Sequence, residues 1–346
     1  MTSKTNKVLI TTPLERELVA SLRLKHPDFD ITYPEEMLAA PAYVGHHVAA
    51  ATDSPERLLA WRELLAGADI LFDFGPAALQ PELKGLPRLR WIQSTSAGVG
   101  QFARRVGLTE RRDVVVTTAS GVHGAALAEF VVMAMIFFNR DFGRLIQNQR
   151  AHHWQRGSGR LIAGQTAGIV GLGHVGAETA TFVRALGART IGVVRSLAGR
   201  SAATCGVDRL VVQEDLDQVL PELNVLVLAL PHTSETEGLL SARRIAMLRP
   251  DCLLVNLARG SVVDEPALVA ALKSGGIRGA ALDVFAEEPL PPTSPLWDLP
   301  NVLVSPHSAS TVDGENKRIV QLFSDNLSRY QAGERLLNVL DSELLY

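Results

Sequence analysis

Four residues in the second half of the chain have the types that proton and hydride chemistry at a carbonyl requires: Arg259, Asp283, Glu288 and His307. Each follows an apolar run. Arg259 comes after 253–258, Asp283 after 279–282 with Glu287 and Glu288 just beyond, and His307 after 302–305. An arginine stays charged and grips a carboxylate through two parallel hydrogen bonds. A histidine gives and takes a proton near neutral pH. A carboxylate bonded to its other ring nitrogen would fix the tautomer and stabilise imidazolium. Given a hydride donor, such a set would reduce a 2-oxo acid. Singly, each residue has a plainer reading: a surface ion pair for Arg259, a satisfied loop histidine for His307, a solvated acid for Glu288. Arriving together at the strand ends of one parallel sheet, they favour catalysis.

The hydride donor is implied by Val170-Gly171-Leu172-Gly173-His174-Val175-Gly176. An apolar run breaks into glycines and an alanine-rich helical pattern follows, the strand–turn–helix context of a dinucleotide fingerprint. Gly171 permits the tight turn, Gly173 lets the backbone approach a pyrophosphate, and Gly176 lets helix pack on strand. The helix N-terminus offers N–H groups to the phosphates. The next strand, 190–194, ends in Arg195 and Ser196, with Arg200 shortly after. An acid there would hold a ribose 2′-hydroxyl; an arginine pairs with a 2′-phosphate instead. NADP(H) is therefore expected over NAD(H), the other reading being an arginine that stacks on adenine.

The elements that position these groups alternate. Strands are expected at 7–12, 29–33, 70–72, 89–93 and 114–117, with helices at 14–25 and from Pro55 onward. The loop 94–100 follows a strand, and its amides could form a nest for a carboxylate or be a simple turn. One long helix is expected over 125 to about 150. Beyond the glycine turn come strands at 190–194, 224–230, 252–258, 277–282 and 302–305, with helices at 216–220, 239–248 and 266–273. A terminal helix at 319–330 is expected to return to the first domain. The fold class is α/β with two doubly wound domains. A Rossmann nucleotide-binding domain, residues 120–310, is inserted in a flavodoxin-like substrate domain formed by residues 1–119 and 311–346.

Bulk properties narrow the function classes. A chain of 346 residues exceeds one ordinary core. A net charge of −3 gives no electrostatic case for nucleic acid or an anionic membrane. The apolar run 130–138 is too short to span a bilayer, which takes roughly 20 helical residues. The polar start is not a signal peptide. Two cysteines, Cys205 and Cys252, are expected as buried, inert thiols in a reducing cytoplasm. His152-His153-Trp154 lacks metal-ligand spacing, and no metal site is expected.

With these motifs in place, the chain resembles the D-isomer-specific 2-hydroxyacid dehydrogenases. The matching stretches are 168–176, Leu230-Pro231-His232-Thr233 with Thr236, 254–265, 281–290 and 301–307. The first domain matches only through Ser96-Ala97-Gly98-Val99 and general architecture. The resemblance implies Arg259 as carboxylate binder, His307 as general acid/base and Glu288, which directly precedes the proline, as its partner. It implies Asp283 at the nicotinamide carboxamide. The glycine turn with Leu172, His174 and Val175, together with Arg195, Ser196, Leu230, Pro231, Thr236, Leu257, Ala258 and His307, would contact the cofactor. Ala97, Gly98 and Val99 would meet the substrate by backbone. Where the family usually carries aspartate after that Gly-Val pair, this chain has Gly100. The implied activity is reduction of a small 2-oxo acid of glyoxylate or hydroxypyruvate type by a cytoplasmic homodimer. Two relatives are disfavoured: formate dehydrogenases place glutamine at Glu288, and long phosphoglycerate dehydrogenases carry a regulatory domain for which no residues remain after Tyr346. A dinucleotide-sensing binding protein on the same fold is the alternative from another class.

Overall fold

The structure, a computed structural model, describes residues 5–47 and 54–346; residues 1–4 of the polar start lie outside them. The chain divides into two compact units, Met1–Val122 with Thr311–Tyr346, and His123–Ser310. The first unit runs β1 (Asn6–Ile10), α1 (Arg16–Lys25), β2 (Phe29–Thr32), α2 (Pro55–Gly67), β3 (Ile70–Phe72), β4 (Trp91–Gln93), α3 (Gly100–Arg105) and β5 (Val115–Thr117). Its strands are parallel, in the order β2-β1-β3-β4-β5, the flavodoxin-like arrangement. Side chains alternate between two cores. Leu9, Leu71, Ile92 and Val116 face one, and Val8, Ile10, Ile70, Phe72 and Trp91 the other. Burial on both faces is why these strands read as unbroken apolar runs. α2 starts where its cap dictates: Ser54 Oγ accepts from the Arg57 amide at 3.1 Å, and Pro55 opens the helix.

The second unit runs α4 (Gly124–Asn139), α5 (Phe142–Arg150), β6 (Thr166–Val170), α6 (His174–Ala185), β7 (Arg189–Val194), β8 (Arg209–Val212), α7 (Leu216–Val219), β9 (Val225–Leu228), α8 (Ala242–Ile245), β10 (Leu253–Asn256), α9 (Glu265–Ser274), β11 (Gly279–Leu282) and β12 (Val302–Val304). Seven parallel strands lie in the order β12-β11-β10-β9-β6-β7-β8. The order reverses between β6 and β9, and a parallel sheet opens its ligand crevice at that switch point, beyond the strand carboxyl ends. β9 is fully buried, its Leu226 and Leu228 in one core and its Val225 and Val227 in the other. Each such side chain stabilises the sheet by roughly 1.5–3 kcal/mol. The last helix, α10 (Glu315–Ala332), belongs to the first unit.

Three sequence expectations are corrected, and one strand was not anticipated. The single helix over 125–150 is two, because Asp141 takes a left-handed conformation (φ 52°) between α4 and α5. Asp tolerates that geometry, and its carboxylate pairs with Arg144 at 2.6 Å. The helix over 239–248 shrinks to α8, because the 238–240 backbone pairs with a neighbouring segment instead. The Leu240 amide donates to Val262 O at 2.9 Å and the Gly238 amide to Ser261 O at 2.8 Å. β8, at the sheet edge, has no counterpart among the expectations; Arg209 is exposed, the other three residues are only half-buried, and the apolar signal is short. Cys252 is buried, but Cys205 is only half-buried.

Candidate active site

The glycine turn lies at the switch point, and each glycine has a different reason to be there. Gly171 has φ 94°, and a Cβ on it would strike the Ala229 carbonyl and come within 3.0 Å of Leu230 Cα. That close approach joins the end of β6 to the chain leaving β9. A Cβ on Gly176 would run into the Gly171 carbonyl, so only glycine lets α6 start this close beneath the turn. Gly173 meets nothing within 4 Å. Its exposed Cα faces open space where a pyrophosphate could approach the backbone. As N-cap of α6, Gly173 supplies no side-chain cap, and a helix N-terminus is a setting in which backbone amides can receive a phosphate. A dinucleotide fits this cradle. Leu172 and Val175 are half-buried and His174 is exposed. Arg195 and Ser196 are exposed directly after β7, with no acid at that strand end.

On the facing side of the crevice, Leu230 and Pro231 leave β9 in a loop closed by Thr236. The buried Thr236 hydroxyl donates to Pro231 O at 2.8 Å and accepts from the Thr233 amide at 2.8 Å. Thr236 therefore shapes this loop. Leu257 and Ala258 leave β10 buried. Asn256, 1% exposed, cross-ties the turn: its Oδ1 accepts from the Ala258 amide at 3.0 Å and its Nδ2 donates to Arg259 O at 3.2 Å. By sequence Asn256 falls in an expected strand but has no role there, although a polar residue ending an apolar strand is a signal that could have found one.

The structure brings Arg259, Asp283, Glu288 and His307 to one end of the sheet. Glu288 Oε2 lies 2.7 Å from His307 Nδ1, and Glu288 Oε1 accepts from the Phe285 amide at 3.0 Å. Both carboxylate oxygens are thus engaged, which fixes the side chain's direction. His307 itself sits at φ 51°, a strained backbone for a bulky residue. The buried Asp283 holds it there. Asp283 O accepts from the His307 amide at 2.9 Å. Asp283 Oδ1 accepts from Ser305 Oγ at 2.6 Å, the Ser308 amide at 2.8 Å and the Ala309 amide at 2.9 Å. Burial raises the Asp283 carboxyl above its ordinary value, while those hydrogen bonds and the nearby His307 pull the other way. Asp283 is therefore the anchor of the histidine turn, a role that spacing alone does not reveal.

Arg259 is half-buried, and its Nη1 donates to Ala258 O at 2.6 Å. Desolvation lowers its pKa, opposed by the carboxylates of Glu288 and Asp283; an arginine remains cationic regardless. Gly260 explains how the arginine turn reaches the glutamate loop: a Cβ there would collide with the Phe285–Ala286 peptide. Glu287 is exposed and Ala286 N donates to Glu265 Oε2 at 2.9 Å. A guanidinium, an imidazole and a carboxylate thus share one strand edge with the glycine turn.

In the first unit, the loop after β4 rests on a buried polar network. Ser94 N donates to Thr117 O at 2.8 Å, Ser94 Oγ accepts from the Ser96 amide at 3.0 Å, and the Ala119 amide donates to Ser96 O at 3.1 Å. Ala97 and Gly98 are exposed at the tip, whereas Val99 packs into the core. Asp73, after β3, lies beside the loop at φ 69° and was not singled out by sequence. Burial pushes its carboxyl up to about 6, against hydrogen bonds from the Phe74 and Thr95 amides and the Thr95 hydroxyl.

Comparison with known proteins gives consistent matches. The family model "D-isomer specific 2-hydroxyacid dehydrogenase, NAD binding domain" matches residues 132–309. A D-3-phosphoglycerate dehydrogenase of Mycobacterium leprae is 35% identical over 274 residues, 77% of this chain. The chain spans about half of that relative, 49% of its length. Glyoxylate/hydroxypyruvate reductase B of Pectobacterium carotovorum is 32% identical over 286 residues, covering 81% of this chain and 88% of the relative. Among solved structures, a D-isomer specific 2-hydroxyacid dehydrogenase from Xanthobacter autotrophicus Py2, in complex with NADPH and MES, is similar with a TM-score of 0.76 at 29% identity. That match covers 99% of this chain and 100% of the other.

Proposed function

This chain belongs to the D-isomer specific 2-hydroxyacid dehydrogenase family, and from that premise we propose that it reduces a small 2-oxo acid, of glyoxylate or hydroxypyruvate type, to the D-2-hydroxy acid, preferring NADPH to NADH. The observation that carries this reading is the 2.7 Å contact between His307 Nδ1 and Glu288 Oε2 beside Arg259. Arg259 receives the substrate carboxylate through its guanidinium. The reduced nicotinamide dinucleotide, when bound, supplies the hydride to C2. His307 delivers a proton from Nε2 to the carbonyl oxygen, and Glu288 at Nδ1 stabilises the imidazolium that donates it. Ala97, Gly98 and Val99 offer backbone groups to the substrate.

The NADPH preference is supported by Arg195 and Ser196 where an acid would repel a 2′-phosphate, and by the NADPH held in the similar Xanthobacter structure. A homodimer is supported by the apolar face of α4 and α5, where Met133, Ile136 and Phe142 are 41%, 43% and 44% exposed. A reducing cytoplasm suits two free cysteines. No helix among the described residues is long and apolar enough to cross a membrane.

The test is nicotinamide absorbance against time on purified protein. The panel is glyoxylate, hydroxypyruvate, pyruvate, a branched and an aromatic 2-oxo acid, each with NADPH and NADH, and His307→Ala is the control. The reading predicts rapid NADPH oxidation with a small 2-oxo acid and its loss in the variant. Cofactor binding without turnover on any acid would sink it and put the dinucleotide sensor in its place.

A further inference from the structure

The loop that offers Ala97, Gly98 and Val99 is covered by residues distant in sequence. After α10 ends at Gly333 (φ 68°), the chain returns along β5. The Thr118 amide donates to Asn338 O at 2.9 Å, the Leu340 amide donates to Val116 O at 2.8 Å, and Thr117 bridges Val339 in antiparallel fashion. Residues 341–346 then fold into a compact turn. Asp341 Oδ1 accepts from the Glu343 and Leu344 amides at 2.9 and 2.8 Å, and the Leu345 amide donates to Asp341 O at 2.8 Å. These amides hold the Asp341 carboxyl below its ordinary value. The turn delivers Leu345, 7% exposed and at φ 65°, onto Gly100. A Cβ on Gly100 would collide with the Leu345 carbonyl oxygen and lie 2.6 Å from Leu345 Cβ.

A second link joins the same two segments. Asn326, fully buried in α10, donates from Nδ2 to Leu337 O and to Gln93 Oε1, both at 3.2 Å, and accepts from the Leu337 amide at 2.7 Å. Gln93 in turn donates to Ser94 O at 2.9 Å. The loop 94–100 is therefore tied to segment 337–346 at both ends, through Gln93–Asn326 at its start and Gly100–Leu345 at its exit. Only glycine at 100 permits this contact.

We propose that segment 337–346 is the positioning element of the substrate loop, with Gly100 and Leu345 as its contact pair, so that the strength of 2-oxo acid binding depends on this segment being seated. The inference rests on the reading of 94–100 as the substrate loop, and neither residue touches reacting atoms. A loop backbone displaced from its place loses its alignment with a substrate carboxylate, and hydrogen bonds weaken steeply with misalignment.

The test compares the parent with Gly100→Ala, Leu345→Gly and a deletion of residues 341–346. Leu345→Gly removes the covering side chain at a backbone angle glycine adopts freely, so it spares the fold if Gly100→Ala does not. Amide hydrogen exchange over 94–99 should quicken about tenfold or more in each folded variant, with exchange over 168–176 and NADPH affinity unchanged. For the 2-oxo acid the parent accepts, KM should rise about tenfold while kcat changes less. Parent-like exchange over 94–99 in Leu345→Gly and in the deletion overturns the inference. Quickened exchange with an unchanged KM overturns the link to substrate. If the parent turns over no 2-oxo acid, the proposed function fails, and the exchange result still judges the positioning contact.

Discussion

Glu288→Gln isolates the chemistry of the proposed acid from its geometry. Glutamine matches the shape of glutamate, so packing is retained. The two oxygens of Glu288 have different tasks: Oε1 accepts from the Phe285 amide at 3.0 Å and Oε2 faces His307 Nδ1 at 2.7 Å. An amide cannot do both. If its oxygen stays on the Phe285 amide, its NH2 faces Nδ1 and opposes the protonated ring. If it flips, the NH2 meets the Phe285 N–H. With the ring protonated one bond is lost either way, whereas a neutral ring can accept the NH2 at Nδ1, so the first arrangement disfavours imidazolium. Hydrogen bonds to charged groups contribute roughly 1.5–3 kcal/mol. The His307 side chain is 47% and that of Glu288 35% exposed, so solvent places the loss near the lower end. That corresponds to about a tenfold fall in kcat for reduction. NADPH affinity should be unchanged, because the Glu288 carboxylate bonds His307 and the Phe285 amide and not the glycine turn at β6. The assay is steady-state NADPH oxidation with the accepted 2-oxo acid, beside fluorescence titration of cofactor. A Glu288→Gln enzyme with parental kcat would refute the reasoning, as would one whose only defect is in cofactor binding.

Three further outcomes are expected. Gly260→Ala forces a methyl against the Phe285–Ala286 peptide; stability should fall by about 1–3 kcal/mol, and displacement of Arg259 should cut kcat/KM about 100-fold with unaltered circular dichroism. A parent-like kcat/KM would show that the packing of these two turns does not set the arginine's position. Arg195→Asp should raise KM for NADPH about 10- to 100-fold, by removing a charge-assisted pair, and leave NADH little affected; unchanged kinetics with both cofactors would remove Arg195 from the 2′-phosphate site. Asp73 has a carboxyl pushed up to about 6 by burial, so the folded chain holds its proton more tightly than the unfolded chain. Its contribution to stability is complete below the unfolded value of about 4 and is lost as pH rises through about 6. Asp73→Asn should therefore stabilise by up to about 3 kcal/mol at about pH 7.5 and hardly at all near about pH 4, read from denaturant midpoints; a pH-independent difference would contradict this.

The sequence by itself determined the alternation of strands and helices, since fully buried parallel strands such as Val225–Leu228 leave unbroken apolar runs. It also located the glycine turn, and the structure gives Gly171 and Gly176 distinct steric causes while Gly173 faces open space. The break at Asp141 was not legible, because the apolar pattern continues through a single left-handed residue. Nor was the short α8, because Leu239 and Leu240 have helical spacing, yet Gly238 and Leu240 take their backbone partners from residues 261–264. Tertiary structure alone decided how the site is held. Asp283 anchoring the His307 turn, Gly260 seating Arg259's turn against 285–286, and Leu345 lying on Gly100 all join segments far apart in the chain. Residue types carry their chemistry locally, whereas the contacts that aim them are made only when distant segments pack, and no local spacing records that.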